Sequence, residues 1–292
     1  CLLPLLRAEN CGRYSYVKSD LKILYPYELN NQDTVLLSID KLEKLYPNTF
    51  SYLNKNRNRL EQRKDSRTTF ENSTNWYSLT RFGQLESFNQ IKIVFPGEQK
   101  RPKFGIDECK SGYSGARVFS ITLNLSEINI KYVLGILNSK VIEFYIKNNF
   151  ALKQGGYFSM SSSLVDKFPI PIKNDQNDLV NKVDWLLNEN IILNQTILKF
   201  QNSINRKFNL ESLSNKLEDW YLLSYSDFIK ELAKKKIKLS LSDEAEWEEY
   251  FNTESKKALE LKSKIDASDK EIDQMVYKLY DLTEEEINIV EA

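Results

Sequence analysis

The residues best suited to bind a polyanion form a row of arginines and lysines. The row comprises Lys55, Arg57, Arg59, Arg63, Lys64 and Arg67, opposed only by Glu61 and Asp65. Arg59 and Arg63 are four residues apart, so they share one face of a helix, and Arg67 would join them if the helix continued. Such a row can follow a line of phosphates. The alternative is an ordinary solvated helix face.

Aromatic residues follow the row directly in a polar stretch. Trp76, Tyr77, Arg81 and Phe82 have no hydrophobic periodicity around them. Cations interleaved with exposed aromatic rings are typical of nucleic-acid binding, because bases stack on the rings. The alternative is that Trp76 anchors a loop to the core.

Two further segments could present polar groups to a nucleic acid. The first holds Lys100, Arg101 and Lys103 between two strand-like runs. The second holds Lys153, Gln154, Gly155, Gly156, Tyr157 and Ser159. The paired glycines would let a backbone approach a phosphate closely, although a plain glycine turn explains them equally well.

Hydrolytic chemistry has little support. The 292 residues include no histidine, which excludes Ser-His-Asp and Cys-His catalysis. Asp107 and Glu108, near Lys110, are the best candidates for a metal-dependent nuclease centre, but the spacing offers no convincing further acid. Cys1, Cys11 and Cys109 are odd in number and widely spaced, so we expect neither a disulfide framework nor a zinc site.

Composition bounds the class of protein. Forty-one basic residues balance forty-one acidic ones, which argues mildly against a nucleic-acid binder, although local clustering matters more than the sum. No apolar run is long enough to span a bilayer, and no signal peptide is visible, so we expect a cytoplasmic protein. Because the first residue is Cys1, we expect further residues upstream.

The chain has two halves with different sequence patterns. All glycines and prolines lie in residues 1–174, where we predict strands at Lys92–Phe95, Arg117–Leu123 and Val35–Ser38. Helical periodicity covers Ile39–Leu60, with a break near Tyr46 caused by Pro47, and Ile130–Lys147. We therefore predict a mixed α/β domain of the α+β class.

Residues 175–292 contain neither glycine nor proline, so we predict an all-α, coiled-coil-like region. Two heptad-like seams, starting at Leu179 and Ala258, suggest an antiparallel helical pair. Alternatively, each seam pairs with a second molecule and the chain dimerises. Asn190 interrupts the first seam, where it either fixes the register or merely faces solvent.

Several segments, in this order and spacing, resemble the TaqI-like C-terminal specificity domain of Eco57I-type restriction–modification methyltransferases. The segments are Tyr25–Glu28 (YPYE), Leu45–Leu53 (LYPNTFSYL), Arg57–Arg63 (RNRLEQR), Trp76-Tyr77, Lys92–Pro96 (KIVFP), Tyr132–Lys140 (YVLGILNSK), Gly155–Phe158 (GGYF) and Phe168–Pro171 (FPIP). Leu5–Asn10 is similar to the family's junction out of the catalytic domain, and Ile272–Thr283 is similar to the end of such chains.

The resemblance implies a DNA target-recognition module that reads double-stranded DNA for an adenine-N6 methyltransferase, which either acts alone or is fused to an endonuclease. The family's catalytic motif, Asn-Pro-Pro-Tyr, is absent here. We therefore expect no cofactor in this chain, and S-adenosylmethionine in a methyltransferase domain upstream. The recognised bases do not follow from the sequence. A metal-dependent nuclease fragment and a coiled-coil protein-interaction module remain the alternatives.

Overall fold

The structure, a computed structural model, describes residues 1–65, 68–115 and 117–292. It divides into two compact units: residues 1–176 together with 279–292, and residues 177–278. The first unit mixes short strands with helices and the second is helical, so the predicted fold class is confirmed. The predicted boundary after residue 174 lies two residues before the observed one, and residues 279–292 belong to the first unit.

Short antiparallel sheets and helices build the first unit. Its strands are β1 (Leu2–Pro4), β2 (Lys22–Leu24), β3 (Tyr27–Asn30), β4 (Asp33–Leu36), β5 (Lys64–Asp65), β6 (Thr68–Thr69), β7 (Lys92–Pro96), β8 (Glu98–Gln99), β9 (Gly105–Asp107), β10 (Val118–Ile121), β11 (Leu152–Lys153) and β12 (Tyr157–Ser159). Its helices are α1 (Ile39–Leu45), α2 (Pro47–Lys55), α3 (Arg57–Glu61), α4 (Leu85–Phe88), α5 (Ile130–Leu137), α6 (Lys140–Asn149), α7 (Ser162–Val165) and α12 (Glu284–Glu291).

The strand β7 is the central strand of a three-stranded sheet in the first unit. It pairs with β10 on one side and β9 on the other, both antiparallel. Every residue of β7 is buried: the apolar run Ile93–Phe95 fits a central strand, and Lys92 at its start is buried as well. The predicted strand at Arg117–Leu123 is also found, shortened to Val118–Ile121, and the run at Val35–Ser38 forms the end of β4.

The segment that carries the basic row is helical but interrupted twice. Pro47 ends α1 and occupies the first turn of α2, where its missing N–H costs nothing. The predicted break near Tyr46 is therefore confirmed. A second interruption at Asn56 separates α2 from α3, and α3 ends at Glu61.

Asn138 explains why the predicted helix at Ile130–Lys147 is split into α5 and α6. Its buried amide accepts from the Phe104 N–H at 3.0 Å and donates to the Phe104 carbonyl at 2.9 Å. Ser139 then caps α6 by accepting from the Ile142 N–H. This clamp ties the helix pair to the segment that leads into β9.

The second unit is a helical hairpin with a small bracing segment. Its elements are α8 (Asn177–Phe208), α9 (Asn215–Glu218), α10 (Tyr225–Lys234), α11 (Leu241–Leu279) and a 3-10 turn at Trp220–Leu222. The start of α8 meets the end of α11 through the Lys182–Glu271 ion pair. The end of α8 meets the start of α11 through Lys207 and Asp243, 3.2 Å apart. The predicted antiparallel pair is thus present within one chain.

Aromatic packing holds this hairpin together. Phe200 of α8 is fully buried and stacks on Trp220 with ring centroids 3.7 Å apart, and Phe251 of α11 packs against both. The Asn190 side-chain amide donates to the Leu186 carbonyl at 2.9 Å, so its hydrogen-bond partner lies within its own helix. The predicted dimer through the seams stays a prediction.

In the described part of the chain, none of the helices combines the length and the apolar character needed to cross a membrane.

Candidate nucleic-acid interface

A basic cleft opens on the first unit. It has a volume of about 1440 Å³ and is lined by residues of α2, α3, β2, β5 and β10 and of the loops between elements. Among the described residues that line it, the acidic side chain is Glu9. The basic side chains are Arg7, Lys22, Arg59, Arg63, Lys64, Arg81 and Arg117. This charge imbalance makes the cleft attractive to a polyanion, since field lines concentrate in a concave surface.

The cations of the cleft come from distant parts of the chain. Lys22 projects from β2, Arg59 from α3 and Lys64 from β5, whereas Arg117 directly precedes β10. The strand β2, which pairs with β1, forms one part of the wall. The cleft is therefore a product of tertiary structure and not of a single charged helix.

Several of these cations are available to a ligand. Lys22, Arg59 and Lys64 are exposed, and within residues 1–65, 68–115 and 117–292 their side chains form no hydrogen bond or ion pair. Arg117 is exposed as well. Arg7 is partly engaged, because its guanidinium lies 3.5 Å from the Glu9 carboxylate.

Arg63 has a different role from that of its neighbours. Its guanidinium donates to the carbonyls of Trp76 at 2.7 Å and Ser78 at 2.9 Å, while Nε donates to the Leu60 carbonyl at 2.9 Å. It also lies over the Phe70 ring at 4.7 Å. Burial lowers the pKa of this guanidinium below its ordinary value. Arg63 therefore fastens a loop, although one side of it lines the cleft.

The predicted continuous row of cations on one helix face is accordingly wrong. Because α3 ends at Glu61, Arg63 lies beyond the helix. Arg57 points elsewhere: its Nε donates to Glu61 at 2.9 Å, it covers the Trp76 ring at 5.1 Å, and it does not line the cleft. Arg67 lies outside the described residues. Of the row, Arg59 and Lys64 combine exposure with a place in the cleft.

The aromatic residues after the row are buried. Trp76 is 2% exposed, and it packs in a cluster with Tyr77, Leu37, Leu42 and Leu53. The expectation that Trp76 is exposed for base stacking is therefore wrong, and the alternative, a loop anchored to the core, is what the structure has. Arg81, in contrast, is exposed at the cleft.

One exposed aromatic ring at the cleft escaped the sequence analysis. Tyr52 of α2 is 62% exposed and lines the cleft together with Asn56. Tyr52 lies within the helical pattern predicted over Ile39–Leu60, where the sequence does not distinguish an exposed tyrosine from a core residue. Lys22, Arg7 and Arg117 were also missed, because each is an isolated charge in the sequence.

The two remaining predicted segments meet in one small sheet. The strand β12 pairs with β11 and with β8, so the segments around 100 and 153–159 become neighbours. Lys100 lies over the exposed Tyr157 ring at 4.9 Å, and Lys153 forms an ion pair with Glu98 at 2.7 Å. Arg101 is exposed on this side, whereas Lys103 is half-buried and its N–H donates to Gln99 Oε1.

The glycines of this sheet form a hairpin loop. Gln154, Gly155 and Gly156 join β11 to β12 and are exposed, and both glycines have positive φ, +82° and +78°. Residues that carry a side chain rarely adopt a positive φ, which explains why both positions are glycine. Ser159 is half-buried in β12, opposite Glu98 in the sheet. The simple turn is therefore sufficient to account for the glycines.

Of the two acids proposed for a nuclease centre, Asp107 has a structural role and Glu108 is exposed. Asp107 is fully buried, with its carboxylate 2.6 Å from the Lys92 ammonium. The same carboxylate accepts from the N–H groups of Cys109 and Ser111. Burial lowers the pKa of Lys92, and the Asp107 carboxylate partly opposes this. In the described part of the chain, no three Cys, Asp or Glu side chains are placed to hold a metal.

The zero net charge conceals an uneven distribution. Residues 1–176 contain 25 basic and 17 acidic residues, whereas residues 177–292 contain 16 basic and 24 acidic ones. Residues 1–176, which form the cleft, are thus basic. Residues 279–292 of the first unit add five acidic residues and no basic one, but none of the five lines the cleft.

Two family models match consecutive parts of the chain. Residues 172–276 match a domain of unknown function (DUF8810). Residues 21–170 match the TaqI-like C-terminal specificity domain. The second range includes every basic residue that lines the cleft except Arg7.

A curated relative agrees with this match. Over 165 residues the chain is 24% identical to the type II restriction enzyme and methyltransferase RM.Eco57I of Escherichia coli. The match covers 54% of this chain but only 16% of that protein. From the family match, which covers half of the chain, the chain belongs to the TaqI-like C-terminal specificity domain family.

Proposed function

We propose that this chain recognises double-stranded DNA for a restriction–modification enzyme. The observation that carries the proposal is the basic cleft of the first unit, in which seven cations face a single acid among the described lining residues. Family membership and the restriction–modification relative support it independently. Phosphate contacts of this kind supply most of the affinity of a DNA-binding protein, and base contacts supply its specificity.

The exposed cations are suited to phosphates in different ways. Lys22 and Lys64 are compact point charges on flexible stems, and their ammonium groups can reach phosphates without a fixed geometry. Arg117, where the chain enters β10, can hold a phosphate with two parallel hydrogen bonds. The small sheet with Lys100, Arg101 and the exposed Tyr157 offers a second contact surface within the same proposal.

The chemical step belongs, in this proposal, to another domain. The relative is a type II restriction enzyme and methyltransferase, and the chain matches 16% of that protein. The sequence lacks the Asn-Pro-Pro-Tyr motif of adenine-N6 methyltransferases. We assign methyl transfer and S-adenosylmethionine to a methyltransferase domain that acts with this chain in the cytoplasm on a flipped adenine.

A salt titration of DNA binding tests the proposal. Binding of a random-sequence duplex is measured for the chain and for a triple variant with Lys22→Ala, Lys64→Ala and Arg117→Ala. We expect the variant to lower the slope of log affinity against log salt by roughly 2 to 3, since each phosphate contact contributes about 0.9. All three side chains are exposed, so the fold should not change.

The matched control removes the same charge from the second unit. Lys256, Lys264 and Lys270 are exposed on α11, and their replacement by alanine should leave the slope unchanged. If the chain does not bind DNA at low salt, or if both triple variants lower the slope equally, the proposed role of the cleft is wrong.

A further inference from the structure

We infer that the cleft has a division of labour: the face formed by Tyr52, Asn56 and Arg59 reads base edges, while Lys22 and Lys64 bind phosphates. The inference rests on the proposed function, and it assigns roles that the family match does not assign. Arg59 is the central residue, because it is placed to read a guanine.

The geometry brings the three residues to one surface. They follow each other at intervals of four and three residues, the spacing that places side chains on one face of a helix. The interruption between α2 and α3 occurs at Asn56 itself, and all three residues still line the same cleft. A helical face of this kind is narrow enough to enter a major groove.

Arg59 differs from Arg57 and Arg63 because its side chain is not engaged by other described residues of the protein. Arg57 is held by Glu61 at 2.9 Å, and Arg63 is held by three carbonyls. Arg59 is exposed and, among residues that the structure describes, forms neither a hydrogen bond nor an ion pair. Its guanidinium fork therefore remains available to a ligand.

The neighbours of Arg59 supply complementary chemistry. Asn56 donates from Nδ2 to the Tyr52 carbonyl at 2.8 Å. This hydrogen bond holds the amide, and within the described residues Oδ1 has no donor, so it can accept from an amino group of adenine or cytosine. The Tyr52 ring, 62% exposed, offers an apolar face for a base or a thymine methyl group.

The residue type of each cation indicates whether it contacts a base edge or a phosphate. The planar fork of arginine matches O6 and N7 of guanine, and this bidentate pair is the commonest specific contact in the major groove. A lysine ammonium is a point charge with no such match. Lys22 and Lys64 belong to strands β2 and β5 and not to the α2–α3 face, which suits a role in holding the DNA backbone.

A selection experiment distinguishes the two roles. Duplexes with a randomised central region are bound to the chain, and bound molecules are sequenced. We expect an enriched motif that contains a guanine. Both Arg59→Ala and Arg59→Lys should reduce the preference for that guanine roughly 5- to 150-fold, the discrimination of one bidentate pair. Arg59→Lys keeps the charge, so its salt dependence should match that of the unchanged chain.

Lys64→Ala is the matched control, since it removes one exposed cation from the same cleft. It should weaken all sequences alike, lower the salt slope by about 0.9 and leave the motif intact. The inference is overturned if Arg59→Ala keeps every base preference while weakening all sequences equally. Salt-dependent binding with no enriched motif overturns it too, although the proposed function then stands. Absence of any DNA binding refutes both.

Discussion

Replacement of Arg63 by alanine should destabilise the first unit while its neighbour Arg59 tolerates the same change. The Arg63 guanidinium donates hydrogen bonds to the carbonyls of Leu60, Trp76 and Ser78. Its removal leaves these acceptors to water or without partners. Hydrogen bonds from charged groups contribute roughly 1.5–3 kcal/mol each when buried. Because Arg63 is half-buried and water replaces part of the loss, we expect a total cost of about 2–3 kcal/mol.

Hydrogen exchange measured by mass spectrometry can localise this cost. A loss of about 2–3 kcal/mol accelerates exchange roughly 30- to 150-fold where local opening limits exchange. We expect this acceleration in peptides that cover residues 70–82, and none in peptides of α8, which serve as the internal reference. Arg63→Lys should recover less than half of the loss, since one ammonium cannot reach all three carbonyls.

The comparison with Arg59→Ala completes the test. An exposed side chain without partners in the described structure should change stability by less than about 0.5 kcal/mol. Equal exchange rates in the Arg63→Ala and Arg59→Ala proteins would refute the division between a fastening and an available arginine.

The remaining predictions concern the thiols, a buried ion pair and the helical unit. At pH 8, iodoacetamide should alkylate the exposed Cys109 and should not modify Cys11 until urea unfolds the chain. Burial raises the pKa of the Cys11 thiol to about 12, so little thiolate forms below that pH. Equal labelling rates of the two thiols in the folded chain, measured by mass spectrometry, would contradict this. Asp107→Asn should lower the free energy of unfolding by about 3–5 kcal/mol, because it leaves the fully buried Lys92 ammonium without its counter-charge; a urea midpoint like that of the unchanged chain would count against the buried pair. Phe200→Ala should cost about 3–5 kcal/mol and red-shift tryptophan fluorescence, as it removes the ring stacked on Trp220; an unshifted spectrum would speak against this packing.

The sequence predicted helices and strands well where neighbouring residues alone determine them. Pro47 fixed the break between α1 and α2, because a proline ends a preceding helix and is tolerated at the start of the next. The run at Lys92–Phe95 predicted β7, because consecutive apolar residues beside a proline indicate a short buried strand. The burial of Lys92 did not follow from this pattern. The split at Asn138 was missed, since its cause is a hydrogen-bonded clamp on Phe104, more than thirty residues away.

The candidate site was predicted less well, for a physical reason. A charge run indicates cations but not their partners, and two of the three carbonyls that engage Arg63 belong to residues 13 and 15 positions further along the chain. Lys22 and Arg117 stand alone in the sequence and reach the cleft only through the fold. Trp76 lies in a polar stretch, yet it is buried because it packs on α1 and α2 residues such as Leu42.

A lysine footprint with and without DNA tests most directly that the cleft is the recognition surface. Acetylation is measured by mass spectrometry at low salt on the chain bound to a duplex. We predict that DNA slows the modification of Lys22 and Lys64 and leaves Lys256, Lys264 and Lys270 of α11 at their free rates, since the cations of the cleft lie against phosphates in the complex. Protection of the α11 lysines, with Lys22 and Lys64 modified as in the free chain, would contradict the account.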